Sequence, residues 1–110
     1  MRTILVLCLA LAGCSESFSA EMEIAAAELK DPSSAQFRHL TRVGNLVCGE
    51  INGKNSYGGY VGFEPFYVRD GKATLADKTG DNLIDVTNEL RIVNTCADAR
   101  LSQLNEKMKN

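Results

Sequence analysis

Cysteines are the residues of this sequence whose type and placement best suggest chemistry. The chain has four: Cys8 and Cys14 lie near the amino terminus, and Cys48 and Cys96 lie far apart in the more polar remainder. A redox-active pair is usually close in sequence, as in Cys-x-x-Cys, and two cysteines cannot complete a structural zinc site. We therefore expect a structural Cys48–Cys96 disulfide. In the chain-entropy model, closing this loop of about 48 residues is worth roughly 4 kcal/mol.

The other candidate chemistries are weaker. His39 is the only histidine, and its position beside Phe37 is more typical of a surface or edge residue than of a catalyst. Glu50 and Glu64 could be a carboxylate pair for glycan hydrolysis, but nothing in the sequence sets their separation. No serine has a Gly-x-Ser-x-Gly setting, and no glycine run has phosphate-loop spacing. The sequence therefore predicts a protein that is not an enzyme.

Residues 77–85 loosely resemble a calcium-binding loop. Asn82 stands where such a loop needs glycine, and Asn88 stands where it needs glutamate. We therefore expect a solvated loop and no metal site.

The amino terminus has the pattern of an export signal. Arg2 precedes the apolar run Ile4–Leu11, and small residues follow at positions 12 and 13. The run is shorter than the roughly 20 apolar residues that span a bilayer. Cleavage after Ala20 would place Phe18 where a small residue is required, so we expect a different processing site.

The segment Leu11–Cys14 resembles the lipobox of bacterial lipoproteins. The resemblance implies removal of residues 1–13 and attachment of diacylglycerol to the Cys14 sulfur, with acylation of its new amino group. Several acyl chains, such as palmitate, anchor a protein far more firmly than one chain does. Ser15 follows Cys14, and this implies sorting to the outer membrane, facing the periplasm or the cell surface.

Residues 14–19 then form a lipidated tether, and residues 20–110 form a single small α+β domain. Residues 20–30 are rich in strong helix formers, with Ser17 or Ser19 as the cap, Lys30 in the last turn and a stop at Asp31-Pro32. From Ala35 to Leu75 the pattern indicates three to four short antiparallel strands, with Pro65 at an edge or bulge. Gly44-Asn45 and Asp70-Gly71 are typical hairpin turns.

The carboxy-terminal third has helical periodicity. Its apolar residues recur every three or four positions and form what we name the apolar stripe: Leu83, Val86, Leu90, Val93, Ala97, Leu101, Leu104 and Met108. Helical structure is expected after residue 96, and helix is favoured for 83–94. Thr95 to Asp98 has the form of a capping box, which predicts a break near Thr95.

Two sequence blocks, residues 29–38 (LKDPSSAQFR) and 47–60 (VCGEINGKNSYGGY), stand out. They resemble a family of small lipoproteins and secreted proteins of Gram-negative bacteria and their prophages. The resemblance covers roughly residues 25–70 and implies an envelope location without a particular activity. Within it, the tyrosines, glycines and amide of residues 55–60 are typical of recognition loops. They fit equally a hairpin loop whose glycines meet backbone demands and whose tyrosines cover the sheet. The candidate binding residues are Asn55, Tyr57, Gly58, Gly59, Tyr60 and Phe63.

The charge of the chain and its amino-terminal pattern together limit the classes of function to be considered. The chain has 12 basic and 14 acidic residues without a basic run, which argues against nucleic-acid binding. We expect a membrane-anchored protein that binds an envelope protein or the cell wall and needs no cofactor beyond its covalent lipid. The alternative is a prophage-type superinfection-exclusion lipoprotein that masks a phage receptor. A wall-glycan enzyme is the weakest possibility.

Overall fold

The computed structural model describes residues 17–76 and 79–109. It confirms an α+β fold with an N-terminal helix, a four-stranded antiparallel sheet, a C-terminal helix and a Cys48–Cys96 disulfide. The elements are α1 (Ser19–Ala26), a 3-10 turn (Pro32–Ser34), β1 (Gln36–Val43), β2 (Leu46–Asn52), β3 (Glu64–Arg69), β4 (Lys72–Leu75) and α2 (Asn82–Lys109). Cys14, the predicted signal segment and most of the tether lie outside the described residues. Neither described helix combines the length and apolarity needed to cross a bilayer.

The sheet is a meander in the order β1-β2-β3-β4. Gly44-Asn45 joins the paired residues Val43 and Leu46, as the sequence predicted. Asp70 and Gly71 join β3 to β4 with φ angles of 51° and 76°, which is the left-handed backbone of a tight type I′ hairpin turn. The prediction of an edge or bulge at Pro65 was wrong, because Pro65 belongs to the inner strand β3 and pairs in regular register with Glu50 of β2. It lies one residue before the segment that pairs with β4. Its missing N–H therefore costs no β3–β4 ladder bond.

One face of the sheet packs against α1. The buried cluster consists of Ala25 from the helix with Ile51, Phe66 and Val68 from the strands. Phe37 meets Phe66 edge to face, with ring centroids 5.7 Å apart. This face holds the main core of the domain.

The predicted start of α1 is correct within one residue, but its predicted cap and its predicted end were wrong. The helix begins after Phe18 without a side-chain cap from Ser17 or Ser19, and it ends at Ala26 instead of reaching Lys30. The chain turns there, and Leu29 lies so close to Gly53 that a Cβ on residue 53 would come within 2.7 Å of Leu29 Cδ1. This tertiary contact overrides the helix propensity of residues 27–30.

Helix α2 is continuous, so the predicted break near Thr95 was wrong. The Thr95 hydroxyl donates a 2.9 Å hydrogen bond to the Arg91 carbonyl, one turn earlier, instead of capping a new helix. The helix begins where an Asp81 carboxylate oxygen accepts hydrogen bonds from the backbone N–H groups of Leu83 and Ile84, at 3.0 and 3.2 Å.

The second face of the sheet meets α2 mainly through a polar side of that helix. Ile92 is the buried residue of α2, and Cys96 provides the covalent link to β2. Five of the eight residues of the apolar stripe are about half exposed, Ala97 is also exposed, and Leu83 and Met108 are 77% and 82% exposed. The helix is therefore attached to the sheet by its polar side, and its apolar stripe faces solvent.

Candidate functional site

A β-bulge places a histidine at the edge of the sheet. The register of β1 and β2 passes from Arg38 opposite Glu50 to Thr41 opposite Cys48, so His39 and Leu40 together face Gly49. His39 has φ of 57°, in the left-handed region. Gly49 fits the bulge closely, because a Cβ there would lie 3.2 Å from the Arg38 carbonyl oxygen and 3.3 Å from Leu40 Cα, both backbone atoms of the facing strand. This bulge was not predicted, and its only signal in the sequence is a glycine inside an apolar strand.

The bulge brings together Arg38, His39 and Glu50, which we name the Glu50 cluster. Arg38 Nε and Nη2 donate to the two carboxylate oxygens of Glu50 at 3.1 and 3.3 Å, and His39 Nδ1 lies 2.6 Å from Oε1. The Arg38 hydrogen bonds, followed by the one from His39, hold the pKa of Glu50 below its ordinary value. The carboxylate is therefore ionised and fixed in place at neutral pH.

The same arginine positions Phe63. The Arg38 guanidinium lies 4.0 Å from the centroid of the Phe63 ring, a distance that allows a cation–π contact. Phe63 ends the loop that precedes β3. The Glu50 cluster and this predicted binding residue are therefore one connected surface.

A groove of about 400 Å³ lies between this surface and α2. The sheet side contributes aromatic, proline and charged residues, and the helix side contributes aliphatic and charged residues. The disulfide lies along the groove and joins its two walls. Its lining is His39, Cys48, Gly49, Glu50, Phe63, Pro65, Phe66, Glu89, Ile92, Val93, Cys96, Ala97 and Arg100.

Asn55 organises the predicted binding loop from within. Its side-chain oxygen accepts hydrogen bonds from the N–H groups of Tyr57 and Gly59, at 2.9 and 3.1 Å. Its backbone exchanges two more, with Gly59 O at 2.9 Å and Gly58 N at 3.0 Å. Gly58, with φ of 79°, permits the turn. Asn55, Gly58 and Gly59 therefore shape the loop from inside it.

The two tyrosines of the loop have different environments. Tyr57 is 97% exposed at the loop tip. The Tyr60 hydroxyl donates to the carbonyl oxygen of Ser34 at 3.0 Å, and the Lys54 ammonium lies 5.5 Å from its ring centroid. Tyr60 therefore ties the loop to the 3-10 turn, and Tyr57 is the aromatic side chain that the loop presents to solvent.

The structure does not gather all predicted residues in one depression. Phe63 lines the groove beside α2, whereas Asn55 lines a separate hollow with Lys30, close to α1. The predicted patch therefore divides into a loop tip at Tyr57 and a groove that contains Phe63.

The weaker chemical alternatives gain no geometric support. Glu50 pairs with Pro65, and Glu64 pairs with the next residue of β2, Ile51. Successive side chains of a strand point to opposite faces, so the two glutamates lie on opposite sides of the sheet. In the loop before α2, Asp81 caps the helix and Asp85 accepts hydrogen bonds from Thr79. Across residues 17–76 and 79–109, no group of three acidic, histidine or cysteine residues is placed to hold a metal ion.

No protein-family model, no curated protein and no solved structure matches this chain. The resemblance to small proteins of Gram-negative bacteria and their prophages therefore stays a prediction from residues 29–38 and 47–60. The geometry of the loop and the groove carries the functional inference.

Proposed function

We propose that this chain is a lipid-anchored protein of the bacterial cell envelope with a non-catalytic binding role. It binds an envelope protein or the cell wall through the tip of the 53–62 loop and the neighbouring groove at Phe63. The observation that carries the proposal is Tyr57, a large aromatic side chain that is 97% exposed on a loop fixed by internal hydrogen bonds.

The fixed loop lowers the cost of binding. Ordering a flexible loop costs free energy at the moment of association, and a loop already ordered by Asn55 avoids much of that cost. Tyrosine offers a broad apolar surface and a hydroxyl group with little side-chain entropy to lose, which is why it is common in recognition loops. Tyr57 is therefore suited to be the principal contact residue.

The groove supplies a second kind of contact. Phe63 and Pro65 give it an apolar wall, and the Glu50 cluster places fixed charges at its border. Binding sites commonly combine an apolar surface with a few oriented polar groups. The arrangement suits a peptide or glycan segment with an apolar or planar group and a hydrogen-bond donor for Glu50.

The lipid anchor rests on Leu11–Cys14. An acylated Cys14 would hold the domain at a membrane surface through a short tether that ends near Ser19. A protein tethered in this way meets its partners at high local concentration, so a modest binding surface is sufficient.

The test compares two tyrosine substitutions in the same loop. Tyr57→Ala is expected to reduce in-cell cross-linking to envelope proteins, or sedimentation with isolated cell-wall sacculi, by at least tenfold, because it removes the exposed contact. The melting temperature should change little, since Tyr57 makes no side-chain contact in the core. Binding assays and thermal unfolding of both variants give the two readouts.

Tyr60→Phe is the matched control. It removes the hydroxyl that bonds to Ser34 but keeps the ring, so it should lower stability slightly and leave binding intact. Equal binding by Tyr57→Ala and the unchanged protein would contradict the assignment of the loop tip.

A further inference from the structure

The apolar stripe of α2 is a second surface, and only Val93 and Ala97 of it also line the groove of the proposed binding role. Its leucine, valine and methionine side chains are 49% to 82% exposed along a helix of 28 residues. At roughly 100° per residue, the centre of the stripe is turned away from Ile92 by well over a right angle. A continuous apolar strip of this kind, unlike a single exposed leucine, marks an interaction surface.

We propose that the stripe is covered by α2 of a second copy of this chain, packed antiparallel about a two-fold axis near residue 95. In such an interface, a residue that precedes the axis by a given number of positions faces the residue of the other copy that follows the axis by the same number. Leu83 then lies opposite Met108, and Leu90 lies opposite Leu101. Val93 lies opposite Ala97. The positions of the stripe residues, read from either end of the helix, agree to within one residue. Apolar side chains therefore meet apolar side chains along the whole length of the stripe.

The charges beside the stripe favour the same arrangement. Arg91 and Asp98 are exposed on one flank, at nearly equal distances on either side of the axis. In the antiparallel pair, Arg91 of each copy meets Asp98 of the other, so the contact occurs twice. A parallel pair would place arginine against arginine, which is unfavourable.

A lipid surface fits the stripe less well. Helix α2 has four acidic residues (Asp85, Glu89, Asp98, Glu106) and four basic ones (Arg91, Arg100, Lys107, Lys109). Helices that lie on membranes are rich in lysine and arginine on their polar face, because the headgroups are often anionic. The balanced charges of α2, with Arg91 and Asp98 on opposite sides of the axis, are instead complementary to an antiparallel second copy of the same helix.

A cross-linking experiment on the full chain in cells tests the pairing. Two copies with different affinity tags are produced together, each with a photoreactive amino acid at position 101. Irradiation is expected to give an adduct of twice the protomer mass that carries both tags. The matched control has the photoreactive group at Ile84, which is 48% exposed on the same helix but lies off the stripe, and it should give at least tenfold less of this adduct.

Charge reversal tests the antiparallel direction. Arg91→Asp or Asp98→Arg alone creates two like-charged contacts and should weaken association about tenfold, whereas the double variant Arg91→Asp/Asp98→Arg should restore it. Both residues are exposed, so folding is preserved. The proposal is overturned if position 101 gives no adduct or adducts with other proteins only, if Ile84 performs equally, or if the double variant fails to recover.

Discussion

Glu50 shows how a single carboxylate connects separate parts of the proposed binding surface. It accepts hydrogen bonds from Arg38 and lies within hydrogen-bond distance of His39, while Arg38 also covers Phe63. The hydrogen bonds from Arg38, followed by the one from His39, favour the charged form of the acid and hold its pKa below the ordinary value of 4.5. Loss of this charge would release Arg38 and, with it, the position of the Phe63 ring.

The lowered pKa of Glu50 predicts a pH-dependent contribution to stability. A depressed carboxyl pKa stabilises the folded state above the unfolded pKa, and the contribution is lost as pH falls through the folded value. Glu50→Gln should therefore lower the free energy of unfolding at pH 7 by about 1 kcal/mol or less, the usual worth of a partly exposed ion pair. The difference from the unchanged protein should shrink as pH falls below about 4.5.

Denaturant titrations of both proteins at several pH values measure this difference. Arg38→Gln should raise the pKa of Glu50 toward its ordinary value, which carboxyl NMR signals would follow. A stability difference that does not vary with pH would contradict the ion-pair explanation.

The residue types of the 53–62 loop indicated which residues are candidates for binding, but they did not indicate what each residue does in the loop. The sequence singled out Asn55, Tyr57 and Tyr60 as candidate binding residues, but nothing in it told which tyrosine would be almost fully exposed. That depends on a bond from Tyr60 to Ser34, 26 positions earlier. Long-range contacts of this kind determine which side chains are held against the fold and which are exposed, and they have no local sequence signal.

Among the elements, the start of α2 depends on one side chain. Asp81 accepts from two backbone N–H groups that have no partner within the helix, and its negative charge is favourable near the helix N-terminus. Asp81→Ala should therefore destabilise the domain by about 1 kcal/mol and increase amide exchange in residues 83–86. Hydrogen exchange and thermal unfolding measure the two effects.

Asn105→Ala provides the matched control. It replaces another exposed polar residue of α2, far from the cap, and alanine is the better helix former, so stability should stay equal or rise slightly. Equal destabilisation by both substitutions would show that Asp81 has no special role.

Local patterns predicted the elements well where local energetics decide them. Asp70-Gly71 formed its hairpin because both residues tolerate a left-handed backbone, and the helical spacing of α2 prevailed over its β-branched residues. The end of α1 and the bulge at His39 depend on the packing of Leu29 and Leu40 against distant glycines. The capping signal at Thr95 was misleading because the hydroxyl found a carbonyl within the same helix.

The whole molecule carries the proposed anchor, and its mass tests that proposal. Protein recovered from cell membranes should have the mass of residues 14–110 plus acyl chains. Reduction should add about 2 Da, because opening one disulfide adds two hydrogens. Replacement of Cys14 by serine should give an unacylated protein that no longer fractionates with membranes. A full-length or unacylated mass for the unchanged chain would contradict the anchor.

Helix α2 is joined to the sheet by the Cys48–Cys96 disulfide and buries Ile92 against it. This arrangement has a consequence for the proposed export of the chain. If the chain is exported as we propose, reducing conditions inside the cell would keep Cys48 and Cys96 unlinked, and the helix would hold to the sheet without its covalent bond, through Ile92 and its partly buried neighbours. The newly made chain would then be more loosely assembled, and a translocation channel could thread it. Oxidation after the proposed export would close the molecule, so the fold would be completed in the compartment where we propose that the protein acts.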